Sequence, residues 1–268
     1  MNEPAMLGTS SFQNADRYEQ LMGRWSRRLA PSLIRFGGLG DGDRVLDMGC
    51  GTGSLIFALP DFANVASATG IDLTDAYVAA ARARNTDPRL SFDVGDARAL
   101  PYADSSFDRA FSLLVLHFIP DARKAVEEMR RVVRPGGTIA AAVWDSYGGQ
   151  PFARILWDIA GVLDPALERP LFRPLTGPGE MEKLWLDLGL RDVEQVSLLI
   201  HMEFQSFEDY WAPFASGEGP HGQYVVKLPE EKRDILREHV RRAYVANRPD
   251  GPRSMVSVAW ACRGRVPE

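Results

Sequence analysis

The chain has 268 residues, a formal net charge of −5 and 45% hydrophobic residues, with a sequence pI near 5.5. That length can build one large α/β domain with insertions and a substantial core, without disulfide or metal staples. The acidic balance gives no electrostatic reason to expect tight binding to nucleic acid or to an anionic membrane.

Two cysteines, Cys50 and Cys262, do not make a disulfide framework and suit a reducing compartment, so a cytoplasmic protein is expected. The opening MNEPAMLGTSSFQNAD lacks a basic run followed by an apolar core. No segment approaches the roughly 20 continuous apolar residues of a membrane span.

In chain order, DRYEQLMGRWSRRLAPSLIRFG reads as a helix, or two short ones broken near Pro31, and residues 1–41 are expected to form a helical cover. The runs RVLDMG, NVASATGID, RLSFDVGD, FDRAFSLLVL and GTIAAAVWD are short and apolar, as strands covered on both faces should be. Between them, Thr74 and Asp75 open a helix, and PDARKAVEEMRRVV carries Ala122, Val126, Met129 and Val132 near helical spacing before RPGG ends it. Such alternation predicts right-handed crossovers and a doubly wound α/β sheet over residues 42–145. Residues 146–177 hold a helix and a Pro-rich connection, read as a first lid insertion. Residues 178–205 return to the core with a helix and a strand, 206–253 form a second helical insertion, and 254–268 supply a final strand.

The loop VLDMGCGTGSL carries Gly49, Gly51 and Gly53. In an open α/β sheet the ligand lies beyond the carboxyl ends of the strands, with the first β-α turn as its floor. A dinucleotide loop, G-x-G-x-x-G, requires glycine where Ser54 stands, which disfavours a pyrophosphate cradle. A strand ending in Asp47, a bare loop, and Asp72 at the end of the next strand suit a ribose instead.

Five fragments stand in order: VLDMGCGTG, GIDLT, GDARALPYADSSFD, LLVLHFIPD and RVVRPGGTI. With them the chain resembles the class I S-adenosylmethionine-dependent methyltransferases, in the small-molecule branch similar to the quinone-biosynthesis enzymes. The resemblance implies a Rossmann-like seven-stranded sheet, mostly parallel with an antiparallel last strand. It also implies S-adenosylmethionine as cofactor and S-adenosylhomocysteine as product. Gly49 and Gly51 would let backbone approach the methionine and ribose, with Asp47 and Cys50 in the same loop, Asp47 ordering it or meeting the ammonium through water. Asp72 would accept two ribose hydroxyls, or else cap the helix after Thr74. Leu73 would pack on the adenine. Asp96 would accept the adenine amino group and Ala97 would offer its N–H, the alternative being a turn-forming Asp. Backbone near Leu113 would hold the ammonium, and Leu114 would form an apolar wall. SLLVLH stands where methyltransferases of nucleic-acid bases carry Asn/Asp-Pro-Pro-aromatic, which argues against a nucleic-acid acceptor.

His117 is a candidate base near the expected transfer line, or a packing residue at a helix entry. His201, His221 and His239 show no metal-like clustering, so no metal is expected. Tyr18 and Arg24 are the expected contacts from the N-terminal helix, Arg24 and Arg28 being placed to reach the cofactor carboxylate, unless they form a solvated basic face. Aromatic residues of the insertions, among them Phe152, Trp157, Phe172, Phe204, Tyr210 and Trp211, are expected to divide between a roof over the methyl group and plain packing. The expected reaction is in-line displacement by an O, N, C or S atom of a small, partly apolar acceptor, in a monomer or homodimer. A non-catalytic S-adenosylmethionine-binding protein and a nucleotide-dependent oxidoreductase are the rival readings.

Overall fold

A computed structural model describes residues 15–167 and 173–268. The first fourteen residues of the expected cover, and Phe172 of the expected roof, lie outside them. Strands β1 (Arg44–Met48), β2 (Ser67–Asp72), β3 (Leu90–Val94), β4 (Phe107–Leu113), β5 (Val133–Trp144), β6 (Arg191–Phe204) and β7 (Arg253–Arg265) form one sheet in the order β3-β2-β1-β4-β5-β7-β6. The first five pair in parallel. β7 runs antiparallel to both β5 and β6, so the last strand alone is reversed. Strand order switches direction between β1 and β4, which opens a crevice above their carboxyl ends.

Both faces are covered. Helix α2 (Arg24–Gly37) buries Trp25, Leu29, Leu33 and Ile34 against one face. On the other, α4 (Ala122–Val132) and α6 (Glu180–Asp187) bury Met129, Val132 and Trp185 beside Leu46 and Met48. The central strands β1, β4 and β5 read as apolar runs because their core segments are covered on both faces, whereas β6 and β7 alternate buried and exposed residues.

Three local expectations change. Pro31 lies inside an unbroken α2. The carbonyl it leaves unpaired belongs to Arg27, an exposed residue whose backbone can hydrate. The chain after the glycine loop is a 3₁₀ segment, Ile56–Asp61, that includes Pro60. RPGG is part of β5, whose pairing with β4 slips between Phe107 and Arg109.

The lid is built from α5 (Pro151–Leu163) and from α7 (Phe207–Ala215), α8 (Gly219–Lys227) and α9 (Glu230–Val245), the last three joining β6 to β7. Phe204, Phe207, Tyr210, Phe214 and Tyr244 form a buried ring cluster there, with Tyr210 and Tyr244 centroids 5.2 Å apart. The Tyr210 hydroxyl donates to the Phe152 carbonyl at 2.5 Å, which ties α7 to α5. Among the described residues, no helix is long and apolar enough to cross a membrane.

Candidate active site

A cavity of about 560 Å³ opens above the switch point, walled by the glycine loop on one side and the lid on the other. Gly49 and Gly51 have φ of +74° and +53°, the left-handed region where a side chain is disfavoured. The N–H groups of Gly49 and Cys50 donate to the Ile71 carbonyl at 2.7 and 3.0 Å, holding the loop to the end of β2.

Asp72 stands where that loop meets α3 (Asp75–Arg84). One carboxylate oxygen accepts from Gly51 N at 2.9 Å and the other from Thr74 N at 2.8 Å. The two expectations for Asp72 therefore have compatible geometry: it supports the start of α3 while each oxygen keeps further lone-pair capacity for a ligand on the cavity wall. Burial raises its pKa against the pull of those backbone donors. Leu73, 50% exposed, offers an apolar surface beside it. Gly49, Gly51, Ala97 and Leu114 also line the cavity, Leu114 with a φ of +63° that is uncommon for a branched side chain.

Asp47, expected beneath the glycine loop, lies there, and Cys50 and Leu113 likewise sit one layer behind the wall. Asp47 is 1% exposed, accepts from Ile56 N at 3.2 Å through one oxygen, and leaves the other buried without a partner. Burial, aided by the Asp72 charge and opposed by the Ile56 hydrogen bond, pushes its carboxyl up to about 7. Such a group binds its proton more tightly in the folded state. Its stabilising effect is complete below the unfolded value of 3.8 and is lost as pH rises through about 7. Melting curves of Asp47→Asn are expected to fall less than wild type between pH 4 and 7.5. Cys50 is buried with its thiol against the Gly51 carbonyl, and burial pushes that thiol well up, so it packs the loop from below. Leu113 is held in the β4–β5 ladder opposite Ala142.

Arg24 is a correction. Its guanidinium donates to the Asp209 carboxylate at 2.8 Å and lies 4.4 Å from the Trp25 ring centroid, fastening α2 to α7 rather than facing the cavity. Arg28 likewise pairs with Glu203 at 2.7 Å. Arg24→Met is expected to leave S-adenosylhomocysteine affinity within about threefold of wild type. It lowers the melting temperature only slightly, because the ion pair is partly solvated. Calorimetry and a thermal melt check both.

Asp96 lines the cavity, but Arg98 holds both of its oxygens, with Nη2 at 2.7 Å. That guanidinium keeps the carboxyl below its ordinary range. Any adenine contact shares oxygens already engaged.

His117 is on the wall, 6% exposed, its Nδ1 without a partner. Burial, with the nearby Arg173 charge, pulls its imidazole down to about 3. It is therefore neutral at pH 7 but lacks the basicity expected of a neutral-pH general base. Its ring C2–H resonance is expected not to titrate between pH 5 and 8, as proton NMR against His117→Asn would show.

Tyr18 closes the other side of the site. The chain before α2 is a short α1 (Ala15–Tyr18) and a π-helical turn, Glu19–Gly23. A Cβ on Gly51 would meet the Tyr18 hydroxyl oxygen at 3.6 Å, and the Tyr18 ring lies 5.0 Å from Tyr77. Burial pushes the Tyr18 phenol up to about 12, so it remains a hydroxyl. Of the aromatic residues, Phe152 and Trp157 line the cavity, while Phe204, Tyr210 and Trp211 belong to the lid core.

The sequence reading missed Glu19, Tyr77, Trp144, Arg173 and His221. Glu19 hydrogen-bonds Thr52 next to Gly51, and the other four line the cavity. Arg173 follows Arg169 by four residues in a Pro-rich stretch, and nothing in that pattern singles it out.

Residues 46–141 match the family of methyltransferase domains. The core of the chain is a class I methyltransferase domain. The chain is 38% identical over 126 residues to the 27-O-demethylrifamycin SV methyltransferase of Amycolatopsis mediterranei, covering 46% of this chain and 44% of that protein. It is 41% identical over 106 residues to the ubiquinone/menaquinone biosynthesis C-methyltransferase of Paracoccus denitrificans, covering 37% and 41%. The chain thus spans under half the length of these curated relatives. In fold, it is similar to phosphoethanolamine N-methyltransferase 2 of Haemonchus contortus, solved with S-adenosyl-L-methionine. The TM-score is 0.58 at 19% identity, over 95% of this chain and 57% of the other. The methyltransferase domain accounts for the glycine loop, Asp72 and Asp96. The lid that completes the cavity lies outside the matched residues.

Proposed function

We propose that the protein is an S-adenosylmethionine-dependent methyltransferase acting on a small, partly apolar molecule through an O, N, C or S atom. The observation that carries this is one continuous cavity reaching from Asp72 and the glycine loop to Phe152 and Trp157 in the lid. A cofactor-only protein needs no second chamber.

The residues present fit the cofactor. Gly49 and Gly51 bare their backbone, Asp72 offers two oxygens at the position for a ribose, and Leu73 and Ala97 flank a flat apolar slot. The unpartnered oxygen of Asp47 beneath the loop suits a cationic group above it. When bound, S-adenosylmethionine supplies a methyl group already activated by sulfonium charge. The chain then has to align an acceptor and exclude water, which Leu114, Phe152 and Trp157 do with apolar surface. Neutral His117 can hold an acceptor by a hydrogen bond; its weak basicity points to acceptors that lose their proton readily or to water. Two buried, unpaired cysteines support a reducing, cytoplasmic setting.

Calorimetric titration of the full chain with S-adenosylmethionine, S-adenosylhomocysteine and NAD tests the reading. Micromolar binding of the two sulfur compounds and none of NAD is expected. Failure of both to bind folded protein overturns it, and tight NAD binding would favour the oxidoreductase.

A further inference from the structure

The acceptor half of the cavity contains a charge that the methyl-transfer chemistry does not use. Three arginines line the cavity. Arg98 is held by Asp96 at 2.7 Å and Arg154 by Asp158 at 3.1 Å. Arg173 is half-buried and has no carboxylate partner among the described residues. Its guanidinium carbon lies 4.5 Å from the Phe118 ring centroid, a stacking contact that fixes the plane of the fork.

The neighbours of Arg173 are arranged for a guest anion. His117 and His221 both line the cavity and feel the Arg173 charge. Burial and that charge pull them down to about 3 and about 4, so neither adds a second positive charge. Two further polar atoms, His117 Nδ1 and Trp144 Nε1, are buried without partners on the same wall. A cation withdrawn from water without a counter-ion carries a desolvation cost that a ligand anion would offset. One unpaired guanidinium, with its planar pair of donors, matches one carboxylate in charge and shape. Apolar surface from Ile119, Phe152, Ala153, Trp157 and Pro220 also lines the cavity, with Ser146 and Gln150 beside it.

We propose that Arg173 is the anchor for a carboxylate on the methyl acceptor, so that the substrate class is an apolar or aromatic carboxylic acid. This rests on the methyltransferase reading above. Arg173 selects the acceptor and sets its orientation; the attacked atom is placed by the rest of the wall.

The test is calorimetric titration of the full chain with octanoate and cinnamate against octanamide and cinnamamide, each with and without saturating S-adenosylhomocysteine. The expected result is at least one acid bound about tenfold or more tightly than its amide, as a charge-assisted pair would give. In Arg173→Met that preference is expected to vanish while S-adenosylhomocysteine affinity stays within about twofold, and Arg173→Lys is expected to retain part of it. Equal binding of acids and amides by wild type, or binding of neither, overturns the anchor, as does a preference that survives in Arg173→Met. A variant that loses S-adenosylhomocysteine instead would place Arg173 on the cofactor and also overturn it. Failure of wild type to bind S-adenosylhomocysteine counts against the cofactor reading and leaves the acid–amide comparison to be judged on its own arm.

Discussion

Asp72→Asn is expected to weaken S-adenosylhomocysteine binding by about 10- to 100-fold, measured by calorimetry on protein whose fold is checked by circular dichroism. The carboxylate accepts from Gly51 N and Thr74 N, one on each oxygen. An amide has one acceptor oxygen, so its NH2 must face one of those two backbone donors and leave it unsatisfied, at a cost of about 1–3 kcal/mol. The ribose hydroxyls in turn lose charge-assisted hydrogen bonds of about 1.5–3 kcal/mol. The ribose loss corresponds to one to two powers of ten in affinity, at about 1.4 kcal/mol for each, while the unsatisfied backbone donor weighs on the free and bound protein alike and lowers stability instead. The melting temperature should fall only a few degrees, because the core beneath β2 is untouched. Unchanged affinity in a folded variant would remove Asp72 from the cofactor site.

The second large effect is on folding. Gly49→Ala is expected to lower stability by about 2–5 kcal/mol, from a positive φ that costs roughly 1–2 and overpacking that costs roughly 1–3. The new Cβ would lie 2.5 Å from both methyl carbons of Val115 and 2.8 Å from its Cβ. Val115 cannot swing aside freely. It follows Leu114, whose N–H is tied to the Ala142 carbonyl at 2.7 Å, and it precedes the short 3₁₀ turn Leu116–Phe118 that carries His117. For a chain of this size the loss is worth roughly 2–4 °C per kcal/mol, read by a thermal melt. A variant that melts with wild type would mean that the loop and the β4 turn yield more easily than their contacts indicate.

Where the sequence was legible, the physics was local. Strands buried on both faces announce themselves as apolar runs, and RVLDMG and GTIAAAVWD became β1 and most of β5. Glycines at a strand end mark a turn without side chains, and Asp72 could be placed because the turn and the next strand end share a ligand. The misplaced residue, Arg24, depended on a distant partner. Arg24 meets Asp209, 185 positions away, and neither residue carries a mark of the other. Asp96 is taken by Arg98, two residues on, but a sequence does not show which way either side chain turns. Asp47 lies beneath the glycines as the resemblance implies, and Cys50 packs there beside it, its thiol against the Gly51 carbonyl. His117 was visible as a titratable group, but its basicity depends on burial and on Arg173.

The N-terminal cover is fastened to the glycine loop through the π turn that precedes α2. Glu19 lies in the π turn and is bonded to Thr52 and to Arg27, with Arg84 at 3.7 Å. Gly23 has no side chain to obstruct it, since a Cβ there would meet the Glu19 carboxylate at 2.5 Å. A π turn holds one residue more than an α turn, and removing that residue would rotate Ala15–Tyr18 by about 100° about the helix axis. Tyr18 would then swing off Gly51 while α2 stays docked. The winding of this one turn thus decides whether the Tyr18 ring lies against Gly51.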